Sequence, residues 1–238
     1  MPTSYSDVST VVGGITYDAT SLTVNNSVPN STFNRLGQRG LFQADAPIDS
    51  SLSLSSFLTD PSEFSSFIAD KRITASTSAG GATSYLTSLS IDGDPTTPVT
   101  LNLEFQGSAM TVSTTAPSAG AITPALGVLT QVSGFAAADK NFTFSYSLTK
   151  SYGKSLFKGS TAYEYYLQGG EEKLTIEGEA TAALSSPCPT MIDMGLNFSS
   201  CGGAIGGVSI ISGKVIEYSS EVQAGDILKN TISIVNTF

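Results

Sequence analysis

The densest group of chemically capable side chains is acidic: Glu171, Glu172, Glu177 and Glu179 fall within one short segment. Two carboxylates flanking a glycosidic bond are the minimum machinery of glycoside hydrolysis. Strand alternation would put Glu177 and Glu179 on one face, where a solvated sheet surface is the simpler account. Sugar sites also stack their substrate on aromatic rings, and the chain has no tryptophan. Asp92 and Asp94 offer oxygens to calcium, but a calcium site takes about six or more. The run Asp92-Gly93-Asp94-Pro95 therefore reads as a hairpin turn.

Histidine is absent. That removes the common general base, the histidine-assisted serine or cysteine nucleophile and the usual zinc and iron ligand sets. The glycine-rich run Gly202 to Gly207 has neither the lysine nor the following helix pattern of a phosphate loop. Cys188 and Cys201 flank a short apolar segment. In a reducing compartment they read as two half-buried thiols in preference to a disulfide or a redox switch. No enzymatic activity, cofactor or metal is expected.

The elements that would carry these residues are strands. Charged residues make up 13% of the 238, while Ser, Thr, Gly, Ala and Asn fill the polar positions, a composition suited to sheet and turn. Val99, Leu101, Leu103 and Phe105 alternate with polar neighbours, as do Leu52 and Leu54, Phe142 and Phe144, Leu174 and Ile176, and Ile232 and Ile234. Glycine and aspartate clusters at Gly169-Gly170, Gly202-Gly203 and Ala224-Gly225-Asp226 mark turns between them. One helix is predicted to start at Asp60-Pro61-Ser62-Glu63: Asp60 caps, Pro61 takes the first helical position and Glu63 reaches back. A second candidate spans Thr123 to Ala138, interrupted by Gly127 and Gly134.

Set side by side, the two halves repeat approximately. Leu22-Thr23-Val24, a loop through Leu36 and a strand from Ser51 to Leu58 match Phe142-Thr143-Phe144, a loop through Leu156 and a strand from Lys173 to Ala180. Tyr85 to Ile91, a Gly93-Asp94 turn and Val99 to Phe105 match Lys214 to Val222, a Gly225-Asp226 turn and Thr231 to Val235. The expected organisation is two tandem sheet units, residues 1–115 and 116–238, able to pack as one continuous domain.

Tyr163, Tyr165 and Tyr166, with Phe157 nearby, form the densest aromatic cluster. Such a cluster reads as a buried subunit contact or as strand packing. The contact is preferred because Leu41 and Phe42 sit at the matching place in the first half. Candidate assembly residues are thus Leu36, Leu41, Phe42, Leu156, Phe157, Tyr163, Tyr165 and Tyr166. With 20 Asp and Glu against 11 Lys and Arg, the net charge of -9 repels phosphate backbones. DNA is expected as a passenger, not a ligand. No run reaches the length of a membrane span, and the opening residues lack the basic and apolar regions of a secretory signal, so cytoplasmic synthesis is expected.

The segments SYLTSLSIDGDPTTPVTLNLEFQGS and KVIEYSSEVQAGDILKNTISIVNTF resemble the closing hairpin of phage tail tube and related virion proteins. The segments SVPNSTFNRLGQRGLFQADAPIDSSLSLSSFL and SLTKSYGKSLFKGSTAYEYYLQGGEEKLTIEGEA resemble the long stacking loop and following strand of the same family. The resemblance implies a mainly β fold, an antiparallel sandwich or barrel of tail-tube type with one or two short helices. It implies homo-oligomeric rings, hexamers or pseudo-hexameric trimers, stacked by long loops into a tube in the virion tail. Partners would be further copies and other tail or neck proteins, assembled in the host cytoplasm without a membrane. Other expectations from the same composition are a collar, neck or capsid-decoration protein and, further off, a carbohydrate-binding or carboxylate-only hydrolytic module.

Overall fold

The computed structural model describes residues 8–28, 30–34, 41–45, 47–69, 76–79, 81–111, 140–157, 160–181, 191–200, 203–222 and 227–238. In chain order its elements are β1 (Val8–Val12), β2 (Ile15–Ser27), β3 (Asn30–Asn34), β4 (Leu41–Asp45), β5 (Asp49–Phe57) and α1 (Ser62–Ala69). There follow β6 (Ser76–Ala79), β7 (Ala82–Gly93), β8 (Thr100–Gly107), β9 (Lys140–Ser155), β10 (Glu164–Glu179), β11 (Met191–Ser200), β12 (Gly203–Glu221) and β13 (Lys229–Thr237). The expected mainly β, antiparallel fold is what the chain adopts, with one helix among the described residues. The second helix candidate, the Leu36 loop, the unit boundary and both cysteines lie outside those residues.

Period-two alternation fixes which side of each strand is buried. In β5 it buries Ser50, Leu52, Leu54 and Ser56, and in β8 Leu101, Leu103 and Phe105. Each such Leu or Phe removed from water contributes roughly 1.5–3 kcal/mol. These rows and those of β7, β9, β10 and β13 form one continuous core, from Leu52 and Leu89 to Tyr146, Ile176 and Ile234.

The main sheet has 11 strands in the order β11-β12-β13-β10-β9-β7-β6-β1-β2-β5-β8, and β7 also pairs with β8. A bridge between Val12 and Ala79 joins β1 to β6, so the succession β7-β6-β1-β2-β5-β8 returns to β7. The succession β2-β5-β8-β7-β6 in the first half recurs in the second as β9-β10-β13-β12-β11. The registers recur too. Val24 faces Leu52 as Tyr146 faces Leu174, and Leu22 faces Leu54 as Phe144 faces Ile176. Leu103 faces Leu89 as Ile232 faces Tyr218. Even the irregularities agree: the β7–β8 ladder slips between Leu86 and Ser88, and the β12–β13 ladder slips between Val215 and Glu217. The separate β3–β4 ribbon, where Phe33 faces Phe42 and Asn30 faces Asp45, has the register of the outer β9–β10 hairpin, where Ser155 faces Glu164 and Tyr152 faces Leu167.

Helix α1 begins as its sequence dictates. Asp60 Oδ1 accepts from the Ser62 amide at 2.8 Å, and Glu63 Oε1 accepts from the Asp60 and Thr59 amides at 3.0 and 3.2 Å. These bonds satisfy amides that lack a partner at a helix start. The helix buries Phe64, Phe67 and Ile68. Phe67 meets Phe105 of β8 at 5.8 Å and Phe64 meets Phe198 of β11 at 6.0 Å, both edge to face, so one short helix packs on strands from both halves.

Candidate assembly interface

Strand β7 changes partners along its length. Its first residues, Ala82 to Tyr85, pair with β6; past the slip at Leu86 and Ser88 the same edge pairs with β9, from Ser88 facing Thr149 to Gly93 facing Phe144. A bulge bends a strand and increases its twist, which lets one edge serve two neighbours. The β7–β9 ladder is the seam between the halves. Behind it Leu89 pairs with Leu148 and Ile91 with Tyr146, all four fully buried. At its end a close fit replaces bulk: a Cβ on Gly93 would lie 2.7 Å from the Phe144 ring, so that ring occupies the space a side chain would need.

Beyond the seam the β9–β10 hairpin leans on the first half. Tyr165 is buried, its hydroxyl 3.1 Å from the Gly107 carbonyl and 3.3 Å from Asp49 Oδ1. Its ring lies 4.7 Å from that of Tyr85, which in turn lies 5.6 Å from Tyr152. Lys154 pairs with Asp49 and sits 5.2 Å from the centre of the Tyr163 ring. Burial raises the Tyr165 hydroxyl to about 12, helped by the Asp49 charge, and burial beside Tyr85 raises Tyr152 to about 12. The patch is a desolvated aromatic joint with one exposed ion pair at its rim, an arrangement that holds surfaces together.

Of the residues singled out by sequence, Tyr163 and Tyr165 thus belong to this joint inside the chain. Tyr166, one residue on, points outward at 51% exposure and lays its ring over Gly153. Leu156 and Phe157 are exposed at the end of β9, at 49% and 57%. Leu41 and Phe42 lie in β4, facing Asn34 and Phe33, and their side chains, like Leu36, lie outside the described residues. Sequence reasoning missed Tyr85, Tyr152, Lys154 and Asp49. Tyr152 and Lys154 carry a signal, standing just before Leu156 and Phe157, whereas nothing in the local pattern marks Tyr85 or Asp49.

The acidic segment is occupied by structure. Glu177 pairs with Lys229 at 3.0 Å. It shares an open pocket of about 390 Å³ with Glu179 and Asp94, and both Asp94 oxygens are held by Thr96 and Thr97. Glu172, fully buried, accepts from Tyr146 at 3.2 Å and from Asn236 at 2.7 Å. No helix among the described residues is long and apolar enough to cross a membrane.

The sequence matches no protein-family model and no curated protein.

Proposed function

We propose that this protein is a structural subunit of a tube of the phage tail kind, built from copies of itself arranged in stacked rings around a channel for DNA. The observation that supports it is the seam: two successions of strands in one order, β2-β5-β8-β7-β6 and β9-β10-β13-β12-β11, joined edge to edge by β7 and β9. We take the two successions as tandem related sheet units of an antiparallel tail-tube type. A sheet unit that joins its counterpart through a strand edge within the chain needs only the same kind of contact between chains to extend into a ring. Three such chains would give a pseudo-sixfold ring, and six a larger one.

Charge supports the channel. A net charge of -9 has the same sign as the phosphate backbone, which suits a channel that DNA passes without sticking. In this role the chain works through contacts and performs no catalysis. Its partners are further copies and the tail or neck proteins at the ends, in a virion tail assembled in the host cytoplasm.

Negative-stain electron microscopy of the purified chain at increasing concentration tests the proposal. Hollow rings or tubes are expected, and their symmetry gives the ring order. Monomers at every concentration would overturn self-assembly and point to a collar, neck or decoration protein that assembles only on its partner.

A further inference from the structure

The seam inside the chain has two counterpart edges, on β12 and on β2, that pair with no strand among the described residues. The β11 ladder along β12 ends at Lys214, just before the slip at Val215 and Glu217, as the β6 ladder along β7 ends at Tyr85, just before the slip at Leu86 and Ser88. Past its slip, β7 goes on to pair with β9. Past its own slip, β12 continues through Glu221 with Ile216, Glu217, Ser219 and Val222 exposed. On the other side, the β1 ladder along β2 ends at Ala19, while β2 runs on to Ser27. That run corresponds, pair for pair against β5, to the stretch of β9 that meets β7.

We propose that β12 of one copy pairs antiparallel with β2 of the next, in the register that β7 and β9 already use. The pairs Ser88–Thr149, Leu89–Leu148 and Ser90–Ser147 carry over to Glu217–Ser27, Tyr218–Asn26 and Ser219–Asn25. The inference rests on the ring reading and gives it a specific contact.

Four observations favour this occupant. First, Phe144 and Tyr146 are buried beneath the internal seam, whereas their counterparts Leu22 and Val24 are only half-buried and pack on the same core, as expected where the covering strand comes from another molecule. Second, the end of the ladder exchanges volumes: Gly93 against Phe144 inside the chain becomes Val222 against Leu22 between chains, and Val222 is 64% exposed. Third, the Tyr218 hydroxyl is buried without a hydrogen-bond partner among the described residues, on the strand next to the new neighbour. Fourth, β2 from Thr20 to Ser27 carries no charge, so Glu217 and Glu221 meet no like charge opposite. The contact joins different surfaces, so it propagates until a ring closes.

The test combines two singly substituted chains, S219C and N25C, each in a Cys188→Ser, Cys201→Ser background. Directly opposed strand positions come within reach of a disulfide, whereas a partner four residues along the strand lies about 13 Å away. After mild oxidation the S219C and N25C mixture should give about tenfold more covalent dimer than S219C mixed with S21C. Hydrogen exchange on the native chain supplies a second measurement: amides of residues 20–27 and 216–222 should become protected in assembled particles relative to the monomer. Rings that form with neither the crosslink nor the protection would overturn this pairing while leaving the ring reading intact. Crosslinked dimers without rings would uphold the pairing and sink the tube. Monomers with no crosslink at any concentration would overturn both.

Discussion

Tyr165 on β10 and Gly107 at the end of β8 are joined by a hydrogen bond of 3.1 Å from the phenol to the backbone carbonyl, tying the second half of the chain to the first. Removing the hydroxyl keeps the ring stack on Tyr85 and loses the bond. Tyr165→Phe should lower stability by roughly 1 kcal/mol, seen as a lower urea midpoint at unchanged slope.

The same joint makes stability fall in alkali. Burial raises Tyr165 and Tyr152 to about 12 and also raises Tyr17 and Tyr146. A tyrosine in the unfolded chain titrates at about 10, so the folded state holds these protons more tightly. The contribution of Tyr165 and Tyr152 is complete below about pH 10 and is lost as pH rises through about 12. Thermal unfolding followed from pH 8 upward should show the midpoint dropping in that window, less steeply in Tyr165→Phe.

Glu63 works against itself at neutral pH. Burial raises its pKa despite the bonds it accepts from Thr59 and Asp60, so ionisation costs stability, and that cost grows as pH rises through its raised pKa. Gln keeps the capping geometry without the charge. Glu63→Gln should therefore gain on the wild type as pH rises from 4 to 8, whereas Glu63→Ala should lose about 1 kcal/mol through the missing cap. Paired denaturation curves across that range decide it.

Two glycines that face aromatic rings should respond differently to alanine. At Gly93 the new methyl meets Phe144 and Val99 at 2.7 and 3.0 Å inside the core, which predicts a loss of about 1–3 kcal/mol. At Gly153 the nearest atoms are the ring and hydroxyl of Tyr166, which is half-exposed and free to swing away, so the loss should stay under about 0.5 kcal/mol. A Phe144→Leu change should recover part of the first loss and none of the second, which a double-mutant cycle reads directly.

Asp94 organises the β7–β8 connection from the surface. It accepts from the Thr96 and Thr97 amides at 2.6 and 2.8 Å and from both hydroxyls, which holds its carboxyl well below the usual carboxylate range. Asp94→Ala should speed exchange of the Thr96 and Thr97 amides while leaving Leu101 and Leu103 in β8 protected. Equal exchange at Thr96 and Thr97 in both proteins would show the turn holds without it.

Much of this architecture is legible in the order of residues. Leu101, Leu103 and Phe105 announce a half-buried strand because a pleated chain turns every second side chain the same way. Asp60, Pro61 and Glu63 announce the start of α1 because each meets a need of the first helical turn. The likeness of Leu22-Thr23-Val24 to Phe142-Thr143-Phe144 points to the matching strands β2 and β9, but the registers set Leu22 in the place of Phe144, two residues further along.

Partner choice was not legible. Lys154 and Asp49 meet across 105 residues, and β7 turns from β6 to β9 at a slip that no residue type advertises. Of neighbouring Tyr165 and Tyr166, alternation says that they face opposite ways, but only the packed hairpin sends Tyr165 inward to Asp49 and Gly107 and leaves Tyr166 outside. Side-chain pattern is a local property and declares which face of a strand is buried. The ladder that joins one edge to another is made of backbone groups common to all residues but proline, so neighbours were decided only when the rows of Leu89, Tyr146 and Ile176 closed over one core.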